Sequence, residues 1–320
     1  AKHLSISTLM EEAIASGMIE GASTTRKAAK SMLREGRRPR DRSERMILNN
    51  YRGMEHIMAA RKEELSIGCI LELHRIMTDG TLDNDAWEGR FRSSDEDDIV
   101  VADKFTGKVR HVPPPSSDVN MLMEELCRYA NDDSIFTHPL IKGAIIHFIV
   151  AYIHPFADGN GRTARAMMYW HLLRNGYGIF EYLAVSKTIK EHRGRYDDAY
   201  VMCETDDLDI TYFIRYNLRM MEESLGNLRE YLGRKTKERM EFEAGGYGLN
   251  MRQEAILRDA SKFGEPFGIR AVETEYGVAY QTARLDILKL EGLGLIRKHG
   301  RDANKVLYIF AGGKGKRPIP

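Results

Sequence analysis

The sequence predicts a mainly α protein: a large helical body that carries one β-hairpin, followed by a small winged helix-turn-helix domain. Three observations lead there. Apolar residues recur at helical spacing over most of the chain up to about residue 240, and one pair of short β-type runs, "IVVAD" and "KVRHV", interrupts them. Near the end, two short helical segments joined by a glycine turn precede two further β-type runs.

From Ser5 to about Arg75 the pattern is helical, with Met46, Ile47, Tyr51, Met54, Ile57 and Met58 on one spacing. "REGRRPRDRSE" breaks it as a basic, solvated linker. Residues 87–115 read as a hairpin around "DKFTG", ended by Pro113, Pro114 and Pro115, which also start the next helix with Ser or Asp at its cap. "PLIKGAIIHFIVAYI" is a buried helix, since about fifteen residues holding Lys142 and His147 are too short and too polar to span a bilayer. Another helix, "RTARAMMYWHLLRNGYG", stops at Gly176 or Gly178, and more run from about Lys190 to Thr205 and Ile210 to Lys237. The glycine-rich "EFEAGGYGLN" marks a boundary. Four parts are expected: an N-terminal helical region at 1–75, a helical core at 76–240, the winged helix-turn-helix domain at 248–312 and a disordered tail at 313–320.

Composition excludes more than it selects. The 320 residues carry a net charge of +1, so no global field draws the chain to nucleic acid or membrane. Three scattered cysteines, Cys69, Cys127 and Cys203, support neither a disulfide framework nor a CxxC metal site. With no secretory pattern at the start and no membrane span, a cytoplasmic protein is expected.

The chemistry concentrates in "HPFADGNGRTAR", His154 to Arg165. Gly159 and Gly161 permit positive φ and close backbone approach, so successive N–H groups can form an anion nest. A helix starting at about Arg162 points its free N–H groups and positive dipole end at the same place. Arg162 and Arg165, three apart, share a helix face and offer two guanidinium forks, which suits a polyphosphate. Asp158 suits an oxygen-ligated Mg²⁺ bridging phosphates, and His154 is the group able to accept a proton near neutral pH. "GNGRTA" also fits a dinucleotide-binding G-x-G-x-x-A, but that pattern needs its first glycine directly after a strand, and here a long helical run and His-Pro-x-x-Asp intervene. A P-loop sequence does not occur.

This stretch resembles the Fic-family signature H-x-F-x-[D/E]-G-N-G-R-x-x-R at every fixed position. The resemblance implies a Fic-like helical domain that moves AMP from ATP to a hydroxyl of a target protein and releases pyrophosphate. It implies that His154 deprotonates the target hydroxyl and that Asp158 holds Mg²⁺. Gly159, Asn160 and Gly161 would cradle the anion, Arg162 and Arg165 would grip phosphates, with Arg165 at the γ-phosphate, and Phe156 would anchor the loop from inside. The phosphorylating Doc branch departs from G-N-G-R, which this chain keeps. "TGKVRHVPPP" is similar to the family's flap, along which a target segment aligns by strand addition. Tyr196 stands where many relatives carry a tyrosine pair at the nucleotide, although Asp197 replaces the second member here. "SGMIEG" resembles an inhibitory motif, [S/T]-x-x-x-E-[G/N], of relatives that carry it ahead of the catalytic domain. Through Ser16, Glu20 and Gly21 it implies a brake in which Glu20 pairs with Arg165 and occupies the place of the γ-phosphate.

The C-terminal domain bears Arg284, Lys289, Arg297, Lys298, Arg301 and Lys305, and Tyr280, Gln281, Thr282 and Arg284 open its second helix. DNA and a protein partner both remain open for it, as does a homodimer. Beside an autoinhibited adenylyltransferase, two alternatives stand: a DNA-binding regulator that senses nucleotide, and an enzyme that removes AMP with the same site. An intact His154 favours catalysis over sensing.

Overall fold

The computed structural model describes residues 2–96, 99–102, 107, 109–243, 248–302 and 305–311. Most of the hairpin turn, part of the glycine-rich break and the tail expected at 313–320 lie outside them. The chain forms two compact units, one of Thr8–Lys30 and Pro39–Gly226, the other of Ala1–Ser7, Ser31–Arg38 and Asn227–Pro320. This division is not sequential, because two N-terminal segments belong with the C-terminal unit.

In the larger unit the centre is a helical hairpin, α6 (Pro139–Ile153) and α7 (Asn160–Arg174), joined by residues 154–159. Nearly every residue of α7 from Asn160 to Leu173 is buried, so it is a core helix and not an amphipathic surface one. Around the pair pack α3 (Arg42–Ala59), α4 (Ile67–Thr78) and α5 (Ser116–Asn131). Side chains set two of these starts: Asp41 accepts from the Glu44 amide at 2.8 Å to cap α3, and Ser66 accepts from the Cys69 amide at 3.2 Å to cap α4.

The α5 start differs from expectation. Its cap is Pro115, with no side-chain hydrogen bond, and Ser116, Ser117 and Asp118 lie inside the first turn. Proline already holds φ at the value a helix start needs, so a capping side chain is not required to stop the strand. The hairpin pairs β1 (Val101–Ala102) antiparallel with β2 (Val109–His111), Val101 opposite His111. Beyond α7 come α8 (Val185–Glu191), α9 (Arg193–Thr205) and α10 (Thr211–Glu243). At the other end of the chain, α1 (Lys2–Ile19) and α2 (Arg26–Glu35) precede α3.

In the smaller unit α11 (Met251–Phe263) opens with a reciprocal capping box between Asn250 and Gln253 and closes on Gly264 at φ 61°. Helix α12 (Ile269–Tyr276) ends on Gly277 at φ 57° and turns directly into α13 (Tyr280–Gly292). Strands β3 (Ile296–Asp302) and β4 (Lys305–Phe310) pair antiparallel, and Phe267 adds a short bridge to Tyr308. Leu257, Val272, Ile287, Leu290 and Ile296 form the core of this unit. On α12, Glu275 receives Arg34 and His3, whose ring stacks on Tyr276 at 4.1 Å. No helix among the described residues is long and apolar enough to cross a membrane.

Candidate active site

The loop between α6 and α7 is built by four local constraints. His154 ends α6 in the left-handed conformation, φ 49° and ψ 57°, which turns the chain sharply out of the helix. Arg92 donates from Nε to the His154 carbonyl at 2.9 Å, and its amide donates to the Pro155 carbonyl at 2.9 Å, so the turn is held from outside the loop. Asn160 closes it from within: its side-chain oxygen accepts from the Phe156 amide at 2.9 Å and its Nδ2 donates to the Phe156 carbonyl at 2.7 Å. Phe156 itself is fully buried and stacks on His74 at 3.8 Å, as its expected anchoring role requires.

The two glycines have different reasons to be glycines. Gly159 caps α7 at φ 87°, a conformation that favours a residue without Cβ, and a Cβ there would also stand 2.8 Å from Thr78 Cγ2. Gly161 needs no positive φ, because α7 begins at Asn160, two residues earlier than expected, and Gly161 is helical. Its constraint is space: a Cβ there would overlap Glu20 Oε1 and lie 3.1 Å from Arg165 Nη1.

Both arginines are 1% exposed. Arg162 donates from Nη1 to the Met77 carbonyl at 2.8 Å and holds Nη2 3.7 Å from Asp158 Oδ2, while its Nε and Nη2 make no hydrogen bond among the described residues. Burial lowers its pKa. Arg165 donates to Ser16 Oγ at 3.1 Å, to the Ser16 carbonyl at 3.2 Å and to Glu20 Oε1 at 2.8 Å, and its Nη1 is likewise without a hydrogen bond. Burial opposes the charge of Arg165, but Glu20, together with Tyr196 and Glu12, outweighs it and raises the pKa. For Glu20, burial would favour the protonated acid, yet Arg165, Arg193 and Arg162 together hold the carboxyl below its ordinary value. Gly21 follows at φ 101°, turning the chain away.

The half-buried His154 ring places Nδ1 3.2 Å from the Ala151 carbonyl. A carbonyl only accepts, so Nδ1 carries the hydrogen and Nε2 keeps its lone pair for a proton. Burial, with smaller contributions from His111 and Arg92, pushes the ring pKa down to about 4, so the ring is neutral at pH 7. Asp158 is exposed; its Oδ1 accepts from the Gly159 amide at 2.6 Å, and among the described residues its Oδ2 has its nearest charged partner in Arg162 Nη2 at 3.7 Å. One open carboxylate oxygen beside buried, unsatisfied guanidinium donors fits a hard cation shared with an anionic ligand. His154, Asp158, Gly159, Asn160, Gly161, Arg162, Arg165, Ser16 and Glu20 thus lie together, and Gly21 only turns the chain after Glu20. Tyr196 lies behind them, buried, with its hydroxyl 3.0 Å from His147 Nε2 and 3.3 Å from Tyr200 and with Arg193 over its ring.

Several contributors have no local sequence signal. His74 donates to the Asp158 carbonyl at 2.9 Å, and Arg193 donates to the Ile19 carbonyl at 2.9 Å, at the end of the helix that brings Glu20. Glu12, buried on that same helix, accepts from the Ser186 amide at 2.8 Å and from Tyr169 at 2.8 Å. His111 ends the hairpin with Nε2 2.6 Å from the Tyr152 carbonyl and Nδ1 2.9 Å from Glu204, which ties that strand to the end of α6.

Comparison with known proteins agrees with this geometry. Residues 64–172 match the model of the Fic/DOC family. The chain is 37% identical over 134 residues to the protein adenylyltransferase Fic of Drosophila erecta, covering 41% of this chain and 25% of that protein, and 31% identical over 166 residues to that of Nematostella vectensis, covering 52% and 34%. It therefore spans a quarter to a third of the length of these relatives. Among solved structures, a Fic family protein from Desulfovibrio desulfuricans aligns with a TM-score of 0.59 at 22% identity, covering 98% of this chain and 89% of that one. Fic-1 from C. elegans aligns with a TM-score of 0.56 at 22% identity, covering 71% and 63%. At that identity the likeness is one of fold. The signature loop lies within residues 64–172, the stretch that matches the Fic/DOC family.

Proposed function

We propose that the protein transfers AMP from ATP to a hydroxyl side chain of a target protein, and of itself, and that Glu20 restrains it. The observation that carries this reading is the set of buried guanidinium nitrogens, Arg162 Nε and Nη2 and Arg165 Nη1, left without hydrogen bonds around the glycine loop. Such donors are costly unless an anion completes them, and the α7 N-terminus adds its dipole at the same place.

In the proposed reaction the target oxygen forms a bond to the α-phosphorus while the bond from that phosphorus to the β-bridging oxygen breaks. The hydroxyl proton goes to His154 Nε2, and the electron pair leaves with pyrophosphate. Arg162, Arg165 and the Gly159–Gly161 backbone stabilise the charge that develops on the phosphates. Asp158 would hold Mg²⁺, which when bound neutralises phosphate charge. Glu20 occupies the Arg165 fork that the γ-phosphate would otherwise engage, so ATP binds only with its α-phosphate poorly aligned.

The target segment is proposed to lie along the hairpin, where Val109 and Val112 are exposed. For the C-terminal unit a protein partner is the better reading than DNA, because the outer face of α13 presents Leu285, 64% exposed, and Leu288 beside Arg284.

Mass spectrometry of the purified protein after incubation with ATP and Mg²⁺ tests the reading on wild type, Glu20→Gly and His154→Ala. A gain of one AMP in Glu20→Gly alone is expected. AMP on wild type and Glu20→Gly alike would remove the brake from the reading. No AMP on any variant, on itself or on a protein extract, would overturn the transfer itself. If wild type instead strips AMP from a modified protein and Glu20→Gly cannot, the net direction is removal.

A further inference from the structure

We propose that His74 is a positioning residue that sets the orientation of the Asp158 carboxylate. This rests on the reading of Asp158 as the Mg²⁺-holding group given above. His74 is fully buried on α4, far in sequence from the loop, and its two ring nitrogens are both engaged. The Gly89 amide donates to Nδ1 at 3.1 Å, so Nδ1 carries no hydrogen. Nε2 must then carry it, and it faces the Asp158 carbonyl at 2.9 Å, an acceptor. One neutral tautomer satisfies both contacts, and the fixed Gly89 amide selects it.

The consequence passes through a planar peptide. Across the trans bond from Asp158 to Gly159 the carbonyl and the N–H point in opposite directions. Holding the carbonyl toward α4 therefore turns the Gly159 N–H away from α4, where it donates to Asp158 Oδ1 at 2.6 Å. With Oδ1 held, Oδ2 is the oxygen left open, 3.7 Å from Arg162 Nη2. The stack of His74 on Phe156, nearly parallel at 5°, and the 3.2 Å between its Nε2 and a Cβ built on Gly159 leave the loop no room to settle closer to α4. An ordinary core histidine would need only some pair of partners; this one takes its acceptor from the peptide whose other side orients the carboxylate.

The test uses the full chain in the Glu20→Gly background with His74→Ala, His74→Asn and His74→Gln. A glutamine reaches the Nε2 position and can restore the donor to Asp158, whereas an asparagine reaches only the Nδ1 position and keeps the Gly89 contact alone. ATP affinity is measured by calorimetry with Mg²⁺ and with EDTA, alongside kcat and KM for AMP transfer and the thermal midpoint. The gain in ATP affinity on adding Mg²⁺ is expected to fall about tenfold or more in the alanine and asparagine variants and to return largely in glutamine, with metal-free affinity unchanged in all. An unchanged Mg²⁺-dependent gain in asparagine or alanine, or a glutamine variant as defective as asparagine, would overturn the proposal, and the last two variants decide even if alanine does not fold. If Glu20→Gly transfers no AMP while the binding pattern appears as expected, the transferase reading fails and this one stands.

Discussion

His154 combines a strained backbone with an unprotonated ring, and each has a named support. The left-handed conformation costs an ordinary residue about 1 kcal/mol, and Arg92 on its carbonyl holds it. The ring pKa near 4 puts the base form in place at all higher pH. Transfer by Glu20→Gly is thus expected to be level from pH 8 to about 6 and to fall only as pH approaches 4; a rate that halves near 6.5 would show an unshifted histidine. His154→Ala should lower transfer roughly 10²–10⁴-fold with ATP affinity nearly unchanged, by calorimetry. A second residue-scale test concerns Gly161. Because its missing Cβ would meet Glu20, Gly161→Ala should lower the thermal midpoint more in wild type than in Glu20→Gly, and equal losses in both would separate the two residues. The sequence pointed to Gly159 and Gly161 as a pair on the expectation of positive φ. One of them has it and the other is small for the sake of a carboxylate 141 positions earlier, which no local pattern encodes.

At the scale of elements, α1 is the part whose seating matters most. Glu12 and Ser16 stand one turn apart on it and both reach the larger unit's interior, while Arg193 donates to the carbonyl of its last residue, Ile19. Burial raises the Glu12 pKa, against the hydrogen bonds from Ser186 and Tyr169 that favour its charge. Glu12→Ala would leave the buried Ser186 amide and hydroxyl unmet at a cost of about 1–3 kcal/mol, while Tyr169 keeps the Leu183 carbonyl. It should lower the thermal midpoint and raise AMP transfer with Glu20 intact; a lower midpoint with unchanged transfer would show that this anchor does not bear on the brake. The helices, the hairpin and the turn from α12 to α13 were legible because periodicity and glycine punctuation are local. The supports were not. His74, Arg92, Arg193 and Glu12 act across tens of residues, and a single polar side chain on an apolar face carries no spacing of its own. The α5 start shows the opposite case, where Pro115 supplanted the cap that Ser116 and Asp118 suggested.

For the whole molecule, buried neutral histidines set the response to acid. His147 and His171 are nearly inaccessible, and burial pushes their pKa values down to about 3 and about 4. An unfolded chain takes up those protons near 6.5, so stability is full above that pH and declines as pH falls toward 4, by about 1 kcal/mol per pH unit for each ring. The thermal midpoint should be level from pH 8 to 7 and drop between 6 and 5, with a smaller drop in His171→Asn. The glycine-rich break suggested a sequential boundary after residue 240, whereas the smaller unit begins at Asn227 within α10 and takes in residues 1–7 and 31–38, a membership decided by packing and invisible to composition. The position of Gly161 has a genetic counterpart. Side chains that would displace Glu20 from that point also intrude on the loop proposed to hold phosphate, so mutation there does not separate the restraint from the activity. A selection for a deregulated protein should therefore return changes at Ser16, Glu20 or their neighbours near the start of the chain, and almost none in the signature loop.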